Sequence, residues 1–175
     1  MVFPLMAYPM ILIGSVCSIV VPQVSTFLEE NKVPAAKRLI RRCLLVSFAI
    51  GLVTTLVFFI AADQMGALFY KRNDLGLMIR LSGLCAPILD VAAVSTSLLI
   101  AIGKEGQSFR NALLQQLLLL IFIILLVGVP AINIYGYILS FALSNSVLVA
   151  MNLYFLKTHH FDQKSSSDFH KRGIY

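Results

Sequence analysis

Long stretches without a charged side chain constrain this sequence more than any other feature. No Asp, Glu, Lys or Arg occurs over 1–28, 43–62 or 111–156. Uncharged apolar runs of about 18 residues or more are typical of transmembrane helices. Because 59% of the residues are hydrophobic and only 13% are charged, the sequence excludes an ordinary water-soluble domain.

These runs predict an all-α fold, a polytopic transmembrane bundle of five helices over residues 1–157. The predicted spans cover about 5–28, 39–62, 75–102, 109–128 and 134–156, and a polar tail follows at 158–175. Each span is long enough to cross the hydrocarbon of a bilayer at about 1.5 Å per residue. The turn signal Gly128-Val-Pro130-Ala-Ile-Asn133 divides the last uncharged stretch into two spans.

The basic residues predict which side of the membrane each connection faces. Most of the 14 Lys and Arg residues lie after the first span, after the third span and in the tail. Cytoplasmic connections are rich in Lys and Arg, so we predict a cytoplasmic tail and an external amino terminus. An external start without an export signal also predicts that helices upstream of this chain are missing. We ascribe the net charge of +6 to membrane lipids as partners, and not to nucleic acid.

A basic stripe precedes the second span. Pro34 can begin a helix that continues into that span, and Lys37, Arg38, Arg41 and Arg42 recur on one face of it. The stripe predicts contact with anionic head groups, which fixes the topology. The alternative is a site for the phosphate of a lipid-linked substrate.

Prolines interrupt two of the spans. Pro4, Pro9 and Pro22 lie in the first span and Pro87 in the third, and we predict helix kinks at Pro9, Pro22 and Pro87. Proline removes one intrahelical hydrogen bond, and the freed carbonyl must find another partner in lipid. The first span is therefore either a bendable helix that lines a cavity or a kinked helix that fits a packed bundle.

The third span carries the charges that lie furthest inside a hydrophobic run, Asp90 near its middle and Arg80 closer to its outer end. A carboxylate at the centre of a bilayer costs about 3 kcal/mol to insert, so Asp90 should face a cavity or a partner, or be protonated. Asp90 is the first candidate for a substrate-binding or coupling site, and Arg80 is the second. The two lie about 280° apart around a helix, so we predict no ion pair between them. A carboxyl group satisfied by its own surroundings is the alternative for Asp90.

Small residues at a spacing of four mark the fifth span. Gly136, Ser140 and Ser144 form a small-xxx-small stripe, which allows close approach of another helix, so we predict a packing role. Gln115 and Gln116 in the fourth span can form hydrogen bonds between helices or contact a ligand, and the sequence does not decide between these roles.

No catalytic or metal-binding pattern accompanies these features. The sequence contains no metalloprotease, nucleophile-elbow or phosphate-loop motif, so we expect no enzyme activity and no cofactor. Cys17, Cys43 and Cys85 lie in or beside apolar runs without CxxC spacing, and we predict buried side chains there. The scattered histidines of the tail are not predicted to bind a metal.

Several segments resemble a known transporter family when they are taken in order. They are Pro4-Leu-Met-Ala-Tyr-Pro9, Val20-Val-Pro22-Gln-Val-Ser25, Glu29-Glu-Asn-Lys-Val-Pro-Ala-Ala-Lys, Leu98-Leu-Ile-Ala-Ile-Gly103-Lys-Glu-Gly-Gln-Ser-Phe and Val127-Gly-Val-Pro130-Ala-Ile-Asn-Ile-Tyr-Gly136. Together they resemble the stage V sporulation protein B branch of the polysaccharide transporters, within the multidrug, oligosaccharidyl-lipid and polysaccharide exporter superfamily. Ala101 or Ile102 stands where the family usually has the first glycine of a pair.

The resemblance covers nearly the whole chain and implies a function. Family members look like two six-helix lobes around a cavity, and this chain resembles five helices of the second lobe. The resemblance implies alternating-access flipping of a lipid-linked oligosaccharide or peptidoglycan precursor for cell-wall or spore-cortex assembly. The missing amino-terminal lobe, or a partner chain, would complete the cavity. Two alternatives stay open: a drug or cation antiporter of the same superfamily that uses Asp90, and a non-transporting membrane subunit that packs through the Gly136 stripe.

Overall fold

The computed structural model describes residues 3–30, 32–70, 76–128 and 133–158, and gives side chains there except at 3–10, 65–70 and 133–134. Within these residues the fold is all-helical, and the predicted fold class is confirmed. The predicted tail lies outside the described residues beyond Thr158. The helices are α1 Phe3–Glu29, α2 Val33–Tyr70, α3 Gly76–Leu84, α4 Ala86–Ala101, α5 Glu105–Val127 and α6 Asn133–Thr158.

Five of the described segments are long and apolar enough to cross a membrane, which is typical of a multi-pass membrane protein. They match the five predicted spans in order. The third crossing, Gly76–Ala101, consists of α3 and α4 in succession, whereas the sequence predicted one helix there with a kink at Pro87. The second helix is also longer than its predicted span 39–62, because it begins before the basic stripe and continues beyond Asp63.

Pro87 breaks the third crossing at Cys85. A proline at this position has no N–H to donate to the carbonyl of Gly83, four residues earlier. The hydroxyl of Thr55, on α2, donates to that carbonyl at 2.8 Å. Gly51 of α2 lies directly against Pro87, since a Cβ built on Gly51 would approach the Pro87 nitrogen to 2.8 Å. The break is therefore held against α2 by close packing and by one interhelical hydrogen bond.

The core surrounds α4, which packs against α1, α2, α5 and α6. Over its most apolar 18-residue stretch, the third crossing has 56% of its residues buried, whereas the corresponding stretches of α1 and α5 have only 11% buried. One apolar cluster lies around the helix break and contains Phe58, Ala62, Ile79, Cys85 and Leu89. A second lies nearer the predicted cytoplasmic end and contains Ile13, Val24, Ile40, Cys43, Val94, Leu98 and Ala101. Cys43 and Cys85 are buried, as predicted from their apolar surroundings, whereas Cys17 is only half-buried.

Candidate functional site

Asp90 lies on α4, one turn beyond the helix break, and is only 2% exposed. Its Oδ2 atom is buried without a hydrogen-bond partner among the described residues. Val94 and Ser97 follow four and seven positions later and therefore share a helix face with Asp90. On the antiparallel helix α2, Gly51 contacts Pro87, so buried Ser47, one turn from Gly51, lies at about the depth of Asp90. A buried carboxyl group with a free oxygen can take up a proton or a small cation.

A shallow apolar cleft adjoins this face of α4. It is lined by Val94, Ser97 and Leu98 of α4, Cys43 of α2, and Val16, Cys17, Val20 and Val21 of α1, and its space amounts to at most about 180 Å³ with its open side included. Ligand pockets for drug-sized molecules measure about 300–1,000 Å³. The cleft is therefore too small and too apolar to hold a lipid-linked saccharide.

Arg80 does not join Asp90. Its guanidinium forms a salt bridge with Asp63 of α2 at 2.8 Å, and lies 5.5 Å from the centroid of the Phe59 ring. Its Nε atom is buried without a partner among the described residues. The two candidates named from the sequence thus lie in separate surroundings, Arg80 on α3 and Asp90 on α4, and they form no ion pair with each other.

A chain of amide side chains joins α4, α5 and α6, and sequence reasoning missed it. The amide of Asn152, fully buried on α6, donates to the hydroxyls of Ser95 and Thr96 at 3.1 and 3.0 Å. Its oxygen accepts from Asn111 at 2.8 Å, and the oxygen of Asn111 accepts from Gln107 at 2.9 Å. The signal was available, because an asparagine inside a long uncharged run needs an interhelical partner.

The small-residue stripe of α6 packs inside the chain. Gly136, Ser140 and Ser144 are all buried, and a Cβ on Gly136 would approach the carbonyl oxygen of Leu126 on α5 to 2.7 Å. Gln115 of α5 donates to the hydroxyl of Ser144 at 3.5 Å, a long hydrogen bond. Gln116 is exposed and does not share this interface.

The outward face of α1 carries small and polar side chains beside large apolar ones. The small and polar residues exposed on it include Gly14, Ser15, Ser18, Pro22 and Thr26, which recur at helical spacing. Ile11, Leu12 and Ile19 are also exposed on this helix. Each of the three hydroxyls donates to a carbonyl of its own helix. The helix is continuous through Pro9 and Pro22.

Pro22 and Pro87 each leave a carbonyl four residues earlier without its usual backbone donor. At Pro87 the freed carbonyl, that of Gly83, accepts from Thr55 of a neighbouring helix. Pro22 has no N–H for the carbonyl of Ser18, four residues earlier on an exposed part of α1. Hydrocarbon offers no donor, so a carbonyl freed by proline in a membrane helix is satisfied by its own helix, by water or by another protein segment.

Lys37, Arg38, Arg41 and Arg42 are all exposed on the first turns of α2. Within the described residues no cluster of three or more metal-binding side chains occurs.

The chain matches no model of a known protein family, no curated protein and no solved structure at a significant level.

Proposed function

We propose that this chain forms one half of a membrane transporter that flips a lipid-linked oligosaccharide or peptidoglycan precursor by alternating access. The exposed small and polar residues of α1 around Pro22, among them Ser15, Ser18 and Thr26, are the observation that carries the proposal. A transporter cavity lies between two lobes and is lined by helices whose irregular or polar backbone faces water. In this proposal α1 lines the cavity, and a second lobe or a partner chain forms the opposite wall.

The cavity-lining role is tested by cysteine labelling in native membranes. In a variant with Cys17, Cys43 and Cys85 replaced by alanine, a cysteine at Ser18 should react with a membrane-impermeant thiol reagent. A cysteine at Leu56, which is 60% exposed on α2, provides the control and should not react, since lipid covers it. Equal lack of reaction at both positions would show that α1 faces lipid and would contradict the proposal.

Flipping itself is measured with a fluorescent undecaprenyl-linked saccharide in vesicles from cells that express the chain together with its second lobe. Flipping exposes lipid of the inner leaflet to externally added dithionite, so fluorescence should fall further than in vesicles without the chain. Pro22→Ala restores an N–H to the exposed face of α1 and should slow the loss. No difference between vesicles with and without the chain would overturn the proposed function.

Asp90 favours a second candidate, a drug or cation antiporter. A buried carboxyl oxygen near mid-membrane, with no partner among the described residues, suits a proton or Na⁺, and the small adjoining cleft suits no large substrate. For an antiporter, Asp90→Asn should abolish ion-coupled efflux, whereas for a flippase it should leave precursor flipping unaffected. Ser97→Ala, on the same helix face, provides a control that removes a hydroxyl and no charge.

The proposed function includes an orientation with the tail in the cytoplasm and the amino terminus outside. The alternative of a non-transporting subunit that docks through the Gly136 stripe is disfavoured, because α5 already covers that stripe.

A further inference from the structure

The first turns of α2 have two opposite faces. Ala36, Ile40 and Cys43 are buried against the bundle. Lys37, Arg38, Arg41 and Arg42, here called the basic arc, are exposed within about 140° of the helix circumference. The basic arc therefore points away from α1 and α4.

The basic arc lies directly above a lipid-exposed apolar face of the same helix. Leu45, Phe48 and Leu52 are 60%, 48% and 45% exposed, and at 100° per residue they fall inside the arc. Arg42 precedes Leu45 by three residues, or about 4.5 Å along the axis. The change from exposed cations to exposed apolar side chains therefore occurs within about one turn of the helix. A phospholipid changes from its phosphate to its acyl chains over a similarly short distance.

We propose that the basic arc is a binding site for an anionic glycerophospholipid of the surrounding leaflet, with the acyl chains along Leu45, Phe48 and Leu52. Charge complementarity selects the head group, and the apolar face below it selects a lipid over a soluble anion. The position of the arc opposite the buried face of α2 separates it from a substrate phosphate in a cavity lined by α1. The inference does not depend on the proposed flipping function.

The absence of tryptophan from the chain allows a direct measurement. In Phe48→Trp, a conservative change, the single indole lies on the lipid-exposed face below the arc. The full chain is reconstituted in phosphatidylcholine vesicles, and fluorescence quenching by brominated phosphatidylglycerol is compared with quenching by brominated phosphatidylcholine. We expect a preference of at least about tenfold for the anionic lipid, since each cation near a membrane surface contributes about 1 kcal/mol, or about fivefold.

Removing part of the arc tests its location. Arg41→Gln/Arg42→Gln, made in the Phe48→Trp chain, should lower the preference by up to about 30-fold, which corresponds to two cations. The matched control Arg110→Gln/Lys157→Gln also removes two cations, from α5 and α6, and should leave the preference unchanged. An equal loss in both variants would show diffuse attraction and overturn the site.

Two further measurements remain decisive if the glutamine variant inserts poorly. Raising the salt concentration with all four cations present should reduce the preference, because screening weakens exposed charges. Soluble pyrophosphate at millimolar concentration should not abolish it. Abolition by pyrophosphate, or equal quenching by both brominated lipids in the Phe48→Trp chain, would contradict an anionic-lipid site.

Discussion

The hydroxyl of Thr55 replaces a backbone hydrogen bond that Pro87 removes. Interhelical hydrogen bonds in membrane proteins contribute about 0.6 kcal/mol on average and up to about 1.7 kcal/mol. We therefore expect Thr55→Val to lower the free energy of unfolding by about 1 kcal/mol, measured by denaturant titration in detergent micelles. Thr55→Ser keeps the hydroxyl and should retain most of the stability.

A double-mutant cycle isolates this role of Thr55. Pro87→Ala returns an N–H that can donate to the carbonyl of Gly83, so Thr55→Val should cost little in that background. If Thr55→Val lowers the free energy of unfolding equally in both backgrounds, the stabilising bond of the hydroxyl is the one that it donates to the carbonyl of Gly51 on its own helix.

Asn152 is the residue at which α4, α5 and α6 meet, so truncating it should be costly. Asn152→Ala removes three interhelical hydrogen bonds and leaves the buried amide of Asn111 without its acceptor. We expect a loss of about 2 kcal/mol in the same unfolding measurement. The control is Ser146→Ala, since that exposed hydroxyl bonds only to its own helix and its removal should change stability by less than about 0.5 kcal/mol.

At the residue scale, the sequence predicted which side chains are unusual but not how they are paired. Asp90 inside a hydrophobic run required a protein environment, and it is buried. Arg80 pairs with Asp63, which precedes it by 17 positions and lies on another helix. This pairing depends on how α2 and α3 pack, which no local sequence pattern encodes. The Asn152 contacts were missed for the same reason.

Two glycines permit the close packing of α2 on the third crossing. A Cβ on Gly51 would collide with the backbone of Pro87, and one on Gly83 would lie 2.7 Å from the Cβ of Phe58. Because backbone cannot easily move aside, we expect Gly51→Ala to lower stability by about 1–3 kcal/mol and to lower the thermal midpoint in micelles.

Gly14 of α1 provides the matched control for this prediction. A Cβ there meets nothing within 4 Å, and alanine is the better helix former by about 1 kcal/mol. Gly14→Ala should therefore leave the stability of the purified chain unchanged or raise it. If α1 lines a cavity closed by a second lobe, the same change should still reduce flipping. Destabilisation by Gly14→Ala would contradict the exposed position of this face.

At the element scale, hydrophobic runs fixed the number and order of the crossings, and local signals placed most ends within a few residues. The predicted span 39–62 stopped at the first charge, Asp63, whereas α2 continues past it to Tyr70, and Asp63 pairs with Arg80 of α3. The break at Cys85 was expected only as a kink at Pro87, because separation into two helices depends on Thr55 and Gly51 of the neighbouring helix.

For the whole molecule, the positions of Lys and Arg predict the orientation. A fluorescent protein that matures only in the cytoplasm, fused after Tyr175, should fluoresce, and alkaline phosphatase fused at the same position should be inactive. The reciprocal fusion after Gln64, near the end of α2 that is predicted to lie outside, should give active phosphatase. Active phosphatase at Tyr175 would reverse the orientation and place the basic arc on the outer leaflet.

The position of Asn152 in the last crossing has a consequence for biosynthesis. The amide of Asn111 leaves the ribosome 41 residues before the acceptor that it contacts. Until the fifth crossing enters the bilayer, that amide can form hydrogen bonds only with water, lipid esters, the insertion machinery or residues already synthesised. A nascent chain arrested before Asn152 should therefore stay close to the translocon, and release into lipid should come only with the final helix.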